Sequence, residues 1–386
     1  MKNIGVAVAG LGFIGPAHIE AIRRLPGLEV VAVSHSSLES ARQKADQLNI
    51  GQAYGHYKEL LADERVDCIH ICTPNDLHYP MAKAALLAGK HVVCEKPLAT
   101  TVAEGQELLA LARSKNLVHA VHFNIRYYPL VRQMKVMREQ GELGQVYAVL
   151  GSYLQDWLFY ETDYNWRLEP DQSGKSRAVA DIGSHLMDVL EYISGIKITE
   201  VMADFKTVHA YRKKPLRAVE TYSSGMHQTE DYQEVPIHTE DHASVLLRFD
   251  NGSKGSVTVS QVAAGRKNRL SLEISGSQQS FGWCSESPNE LWLGRRNEAN
   301  AVLLRDPALA YPEAQSLITF PGGHNEGFPD TSKQMFKEIY EHIRAGKDDN
   351  QSPVPYPTFE DGLRELILAE KVIESHEKQA WVRIEL

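Results

Sequence analysis

The stretch Gly10-Leu11-Gly12-Phe13-Ile14-Gly15 constrains the fold of this chain more than any other, because of what flanks it. Before it, Ile4-Gly5-Val6-Ala7-Val8-Ala9 is a short apolar run that reads as a buried strand. After it, Pro16 and Ala17 open a helical pattern through Ala21, Ile22 and Leu25, and a second apolar run covers 28–33. Strand, glycine turn, helix and strand at this spacing make one βαβ unit of a dinucleotide-binding fold. The first glycine permits the tight turn, the second leaves room for a pyrophosphate, and the third lets helix and strand pack closely. The helix N-terminus adds unpaired N–H groups and a positive dipole end. Gly10, Gly12, Phe13, Ile14 and Gly15 are therefore candidate cofactor contacts. A glycine-rich turn in an unrelated α/β protein is the plainer alternative, and the flanks count against it.

The alternation continues. Apolar strand-like runs occur at Ile4–Ala9, 29–33, 68–72, His91–Cys94 and 118–121, with helical patterns between them. Short apolar strands separated by amphipathic helices predict a parallel sheet covered on both faces. After Tyr128-Pro129 the pattern changes. A helix over 130–140 leads into a β-rich stretch at 146–155, then a polar segment with tryptophans, a helix over 183–193, and strands at 201–209, 243–249, 255–262 and 269–275. Residues 212–238 read as a long loop or ragged hairpin, and a last helix covers Phe359–Lys378. The expected fold class is α/β. It has an N-terminal Rossmann domain, 1–123, and a C-terminal α/β domain, 124–386, with a large open, predominantly antiparallel sheet.

A chain of 386 residues suits two domains, and 43% hydrophobic with 24% charged residues gives enough apolar surface for two cores. The formal charge of −9 argues against nucleic acid as a partner. No run of 18 apolar residues is present and the N-terminus enters a strand at once, so neither a membrane nor a leader is expected and the cytoplasm is the default location. The four cysteines, Cys68, Cys72, Cys94 and Cys284, lack Cys-x-x-Cys spacing; reduced thiols are expected, with no metal site.

Ligands of open α/β sheets bind beyond the carboxyl ends of the strands. Glu95-Lys96-Pro97 follows one such end, and a lysine there can donate to a hydroxyl and stabilise oxygen charge as hydride leaves the adjacent carbon. The bland reading is a solvated lysine. Thr73-Pro74-Asn75 ends another strand on the same rim, with His78 close behind, placed for a cofactor ribose or nicotinamide or merely capping a helix. In Asp181-Ile182-Gly183-Ser184-His185, Asp181 and His185 are four apart and share a helix face. Such a pair can hold a secondary alcohol, the imidazole taking its proton while the carboxylate orients it; a helix cap beside a half-buried histidine is the structural alternative. Asp188 reads as a possible surface carboxylate. Tyr160, Trp166 and Arg167 offer aromatic faces and polar edges that suit a sugar ring or a core. Asn124 and Arg126 follow the last strand of the first domain, as does His122, which a packed strand position explains equally well.

Taken in order, Gly10–Gly15, Glu95-Lys96-Pro97 and Asp181-Ile182-Gly183-Ser184-His185 resemble the motifs of the Gfo/Idh/MocA family, the glucose-fructose oxidoreductase and inositol dehydrogenase group. Phe123-Asn124-Ile125-Arg126-Tyr127-Tyr128-Pro129 is similar to the family's crossing into its second domain. The resemblance implies reversible hydride transfer between NAD or NADP and a hydroxyl-bearing carbon of a sugar, anhydrosugar or inositol. It implies catalytic Lys96, Asp181 and His185, with Lys96 assisting and binding, Asp181 binding or orienting and His185 as acid/base. Cofactor contacts at Ser34, His35, Ser36, Thr73, Pro74, Asn75, His78, Glu95, Lys96 and Asn124 go with it. Substrate contacts at Lys96, Arg126, Tyr160, Trp166, Arg167, Asp181 and His185 complete the set, and a homodimer or homotetramer is implied. A narrower likeness to levoglucosan dehydrogenase-like sugar dehydrogenases rests on Tyr164-Asn165-Trp166-Arg167 and the 212–238 insertion.

One departure concerns the cofactor. NAD-specific Rossmann units commonly end the second strand in an acid that accepts bonds from the ribose 2′-OH. His35, flanked by Ser34 and Ser36, stands there instead, which slightly favours NADP. Two other readings remain open: a tightly bound nicotinamide recycled within each turnover, and a non-catalytic nucleotide sensor.

Overall fold

The computed structural model describes residues 3–216, 232–346 and 354–385. Residues fall into two units, the first made of 1–123, 171–174 and 332–366, the second of 124–170, 175–331 and 367–386.

The first unit is built on a six-stranded sheet in the order β3-β2-β1-β4-β5-β6. Its strands are β1 (Ile4–Ala9), β2 (Leu28–Ser34), β3 (Ala53–Tyr54), β4 (Cys68–Ile71), β5 (His91–Cys94) and β6 (His119–Val121). Every pairing is parallel. The apolar run of β1 is buried along its length, because helices cover a parallel sheet on both faces. Register fixes the rim: Ala9 stands beside Ser34 and Ile71, and Ile71 beside Cys94. Whatever follows these four strands therefore emerges along one edge. The helix Val102–Lys115 starts with a capping box between Thr101 and Glu104 and ends on Asn116 in the left-handed conformation, which squares the chain for β6.

The second unit carries a nine-stranded sheet in the order β16-β15-β14-β13-β7-β12-β11-β8-β17. In chain order these are β7 (Val146–Leu154), β8 (Ile198–Lys206), β11 (His242–Phe249), β12 (Lys254–Ser260), β13 (Arg269–Gly276), β14 (Ser280–Cys284), β15 (Glu290–Gly294), β16 (Ala301–Leu304) and β17 (Val382–Arg383). All pairings are antiparallel except β7 with β12. One face forms a single core with the helices Pro129–Glu139 and Ser184–Ser194, through Leu130, Met134, Leu186 and Leu190, and with Leu368 and Val372. Among the described residues the other face is open. Its register aligns Leu246, Ser256, Leu150, Glu273, Gly282, Trp292 and Val302 in one row, and Leu246, Leu150 and Val302 are about half exposed.

The 212–238 insertion is a hairpin at its base. β9 (Tyr211–Pro215) pairs antiparallel with β10 (Tyr232–Pro236), Tyr211 opposite Pro236. The expected loop over its middle lies outside the described residues. No helix among the described residues is long and apolar enough to cross a membrane.

Candidate active site

The first unit carries the glycine turn. Gly10 has a φ of +92°, and a Cβ there would stand 2.5 Å from the Cys72 carbonyl oxygen. A Cβ on Gly15 would meet the Gly10 carbonyl oxygen at 2.1 Å, but one on Gly12 would meet nothing within 4 Å. Two glycines are thus dictated by the protein's own packing, and the middle one faces open space of the kind a pyrophosphate needs. Helix Ile14–Arg23 begins at Phe13, which supplies no side-chain cap to the N-terminal N–H groups. The residues present fit a dinucleotide.

The same rim carries Ser34, Thr73-Pro74-Asn75 and Glu95-Lys96. His35 is half-buried and held below its ordinary pKa by burial and by the Lys44 charge, so it is neutral at pH 7. Ser37 accepts from the Ser40 N–H and caps the helix Leu38–Gln47. Ser36 is exposed. His78 is buried, its two ring nitrogens 2.6 Å from the Pro97 carbonyl oxygen and 2.9 Å from that of Thr73, so it ties two rim segments together. Asn75 donates to the Ser173 carbonyl at 3.1 Å. Lys96 is half-buried.

Glu95 is buried beneath that rim. Its Oε1 lies 2.9 Å from His18 Nε2 and 2.6 Å from His122 Nδ1, and its Oε2 accepts from the Lys96 N–H at 3.2 Å. His18 Nδ1 lies 2.9 Å from His70 Nδ1, His70 Nε2 lies 2.7 Å from the Tyr340 hydroxyl, and His122 Nε2 lies 3.0 Å from Ser332 Oγ. Burial pushes His18 down to about 4, reinforced by His122. Burial would raise Glu95, but His122 and His18 outweigh it and hold the carboxyl well below its usual range. His18, Glu95 and His122 offer three ligand atoms within 4.8 Å of one another. Tetrahedral zinc ligands at about 2.0 Å from the metal stand roughly 3.3 Å apart, whereas the Glu95–histidine separations are hydrogen bonds. The arrangement is a proton-bonded cluster. None of its long-range members was legible as a group, although the helical repeat of Met335, Phe336, Ile339 and Tyr340 was a signal for the unanticipated helix Phe328–Arg344.

The second unit carries Asp181 and His185. Residues Val179–Gly183 form a π-helical turn that runs directly into the helix Ser184–Ser194, so Asp181 and His185 lie one turn apart. Such turns concentrate at functional sites. Asp181 Oδ2 lies 3.3 Å from Arg167 Nε and accepts from Gln261 Nε2 at 3.1 Å. Arg167 stacks on Trp166 at 4.5 Å. His185 is 8% exposed, with its Nδ1 buried. Tyr160 is exposed, on the loop that leads to Trp166. Asn124 donates to Thr331 Oγ1 at 2.7 Å. Arg126 grips Asp188 with two nitrogens and lies over the Tyr192 ring. Asp188 is a buried ion-pair partner; the surface position read from sequence is corrected by its 3% exposure.

These features define the class: a Rossmann-fold oxidoreductase with a separate α/β domain. Residues 4–123 match the description "Oxidoreductase family, NAD-binding Rossmann fold", and 131–282 match "GFO/IDH/MocA C-terminal domain". The chain belongs to the GFO/IDH/MocA oxidoreductase family. It is 28% identical to levoglucosan dehydrogenase of Pseudarthrobacter phenanthrenivorans over 100% of this chain and 99% of that one. It superposes on an oxidoreductase domain protein from Kribbella flavida with a TM-score of 0.89 at 30% identity, covering both chains fully. Levoglucosan dehydrogenase in complex with NADH and levoglucosan gives a TM-score of 0.88 at 28% identity, again over both full chains.

Proposed function

We propose that this chain oxidises a secondary alcohol of a sugar, anhydrosugar or inositol, reversibly, with a nicotinamide cofactor. The observation that carries it is the π-helical turn that sets Asp181 and His185 one turn apart. When bound, the cofactor accepts the hydride. His185 takes the hydroxyl proton at Nε2, since its Nδ1 is buried. Asp181 orients the substrate, and Lys96 donates to the reacting oxygen and stabilises its developing charge. Tyr160, Trp166 and Arg167 contact the ring. Asn124 and Arg126 act from behind through Thr331 and Asp188.

The site takes NADP as well as NAD, with NADP slightly favoured. A neutral His35 beside the Lys44 charge supports this, because no acid repels a 2′-phosphate. The assembly is a homodimer or homotetramer joined through the open face of the nine-stranded sheet, where Leu150, Leu246 and Trp292 share a row. It works in the cytoplasm, a setting that suits its four free cysteines.

The test is cofactor reduction at 340 nm with NAD and NADP against aldoses, anhydrosugars and inositols. Turnover is expected, and Lys96→Ala and His185→Ala should each lower kcat by about 10²–10⁴-fold. Either variant retaining parental turnover removes that residue's role. Silence across the panel from folded, cofactor-binding protein overturns the reading in favour of a non-exchanging cofactor or a sensor.

A further inference from the structure

Gln261 follows β12 and is 1% exposed. Its amide lies between two charged groups: Oε1 accepts from Arg177 at 2.9 Å, and Nε2 donates to Asp181 Oδ2 at 3.1 Å. This orientation is the only one chemistry allows, since a guanidinium can only donate and a carboxylate only accept. Arg177 is itself held by several partners. It is fully buried, donates to Thr239 Oγ1 at 3.2 Å and pairs with Asp241, whose Oδ1 also takes Arg212 at 2.8 Å. Arg212, on β9, reaches the carbonyl oxygens of Leu158 and Tyr160, both at 2.8 Å. One buried carboxylate therefore anchors both the support of Asp181 and the loop that bears Tyr160.

We infer that Gln261 is a positioning residue, locked by Arg177 on one side and fixing the Asp181 carboxylate on the other. The inference rests on the proposed role of Asp181 in orienting substrate. Hydrogen bonds to an ionised group are the strong ones. Gln261 donates to Oδ2 and Arg167 pairs with that same oxygen, so both restrain one end of the carboxylate.

The experiment compares Gln261→Leu and Gln261→Glu with the parent, by the pH profile of kcat/KM and by crystal structures. Gln261→Leu, measured below its own melting temperature because it leaves a buried Arg177 N–H without its acceptor, should lower kcat/KM about 10- to 100-fold, with the Asp181 side chain displaced. Gln261→Glu keeps an acceptor for Arg177, and so serves where the leucine variant fails to fold. It turns a carboxylate toward Asp181, which should move the acid limb of the profile upward; a purely structural role would not. An unmoved acid limb together with an unmoved Asp181 overturns the inference. A parent that turns over no substrate overturns the functional reading instead, and the position of Asp181 in the two variant crystals then decides the inference alone.

Discussion

Each unit buries a carboxylate in a polar network, and the two networks solve the same problem with opposite partners. In the first unit Glu95 is held by the ring N–H groups of His18 and His122. In the second, Asp241 sits between the guanidiniums of Arg177 and Arg212, and its Oδ2 accepts the Val208 N–H at 2.7 Å. Imidazole titrates within reach of neutral pH and guanidinium does not. The first network is therefore sensitive to acid, while the second is fixed across the range in which the protein folds. The fixed network braces a surface loop and the hairpin base. The titratable one sits under Lys96, at the edge where the glycine turn opens.

The comparison breaks most sharply at Asp241. Asp241→Asn leaves two guanidiniums buried without a counter-charge, and should cost about 3–5 kcal/mol, seen as a collapse of the urea midpoint or as insoluble protein. An unchanged midpoint would show that water reaches the pair.

Acid should separate the networks. The folded-state pKa of His18 lies near 4 and its unfolded value near 6.5, and burial holds His119 down to about 4 as well. Between those values the unfolded chain binds protons that the folded chain refuses, so stability falls as pH drops from about 6.5 to about 4. Each such histidine is worth about 3 kcal/mol across that window. The carboxyl of Asp241 is depressed: burial would raise it, but Arg177 and Arg212 prevail. Its contribution holds above the unfolded carboxyl value and is lost only below about pH 4. Denaturation midpoints taken from pH 7 to pH 4 should fall steadily in the parent and less steeply in His18→Asn. Equal slopes in the two proteins would remove His18 from the cause.

The smallest effect is expected from Glu95→Gln. The amide keeps one acceptor oxygen and turns an NH₂ toward a former donor, either a histidine ring or the Lys96 N–H. A loss of about 1–3 kcal/mol should follow in the same denaturation series. No loss would mean that the cluster repacks around a neutral group.

What the sequence revealed divides along the same line. Five strands of the first sheet, the glycine turn and the Asp181–His185 spacing are local patterns, written in consecutive residues, and the structure has them where the periodicity puts them; β3, two residues long, was missed because so short a strand carries no periodic signal. The Glu95 cluster is assembled from positions 18, 70, 95, 122, 332 and 340, whose spacing carries no periodic signal. Arg177 and Arg212 escaped because arginine is ordinarily a surface residue, and nothing local marks one that is fully buried. β14, β15 and β16 are short strands set among turns and charges, and they are defined by neighbours rather than by their own composition. Of the π-helical turn only the following helix, expected over 183–193, was legible, since the extra residue of the turn shows in hydrogen bonding and not in residue type.

The first unit takes residues 332–366 from far down the chain, and with them Phe359 and Leu366 of its core, the hydroxyl that meets His70, and the Pro357 carbonyl that accepts from Val121 at 3.0 Å. During synthesis those residues leave the ribosome about 200 residues after Phe123. At 5–20 residues per second that is a delay on the order of 10–40 s. For that interval the nascent Rossmann half lacks part of its own interior, the apolar contacts that Phe359 makes in the finished core. Neither unit closes in the order in which it is read: the nucleotide half waits for residues 332–366, and the second unit for Leu368, Val372 and β17 after them.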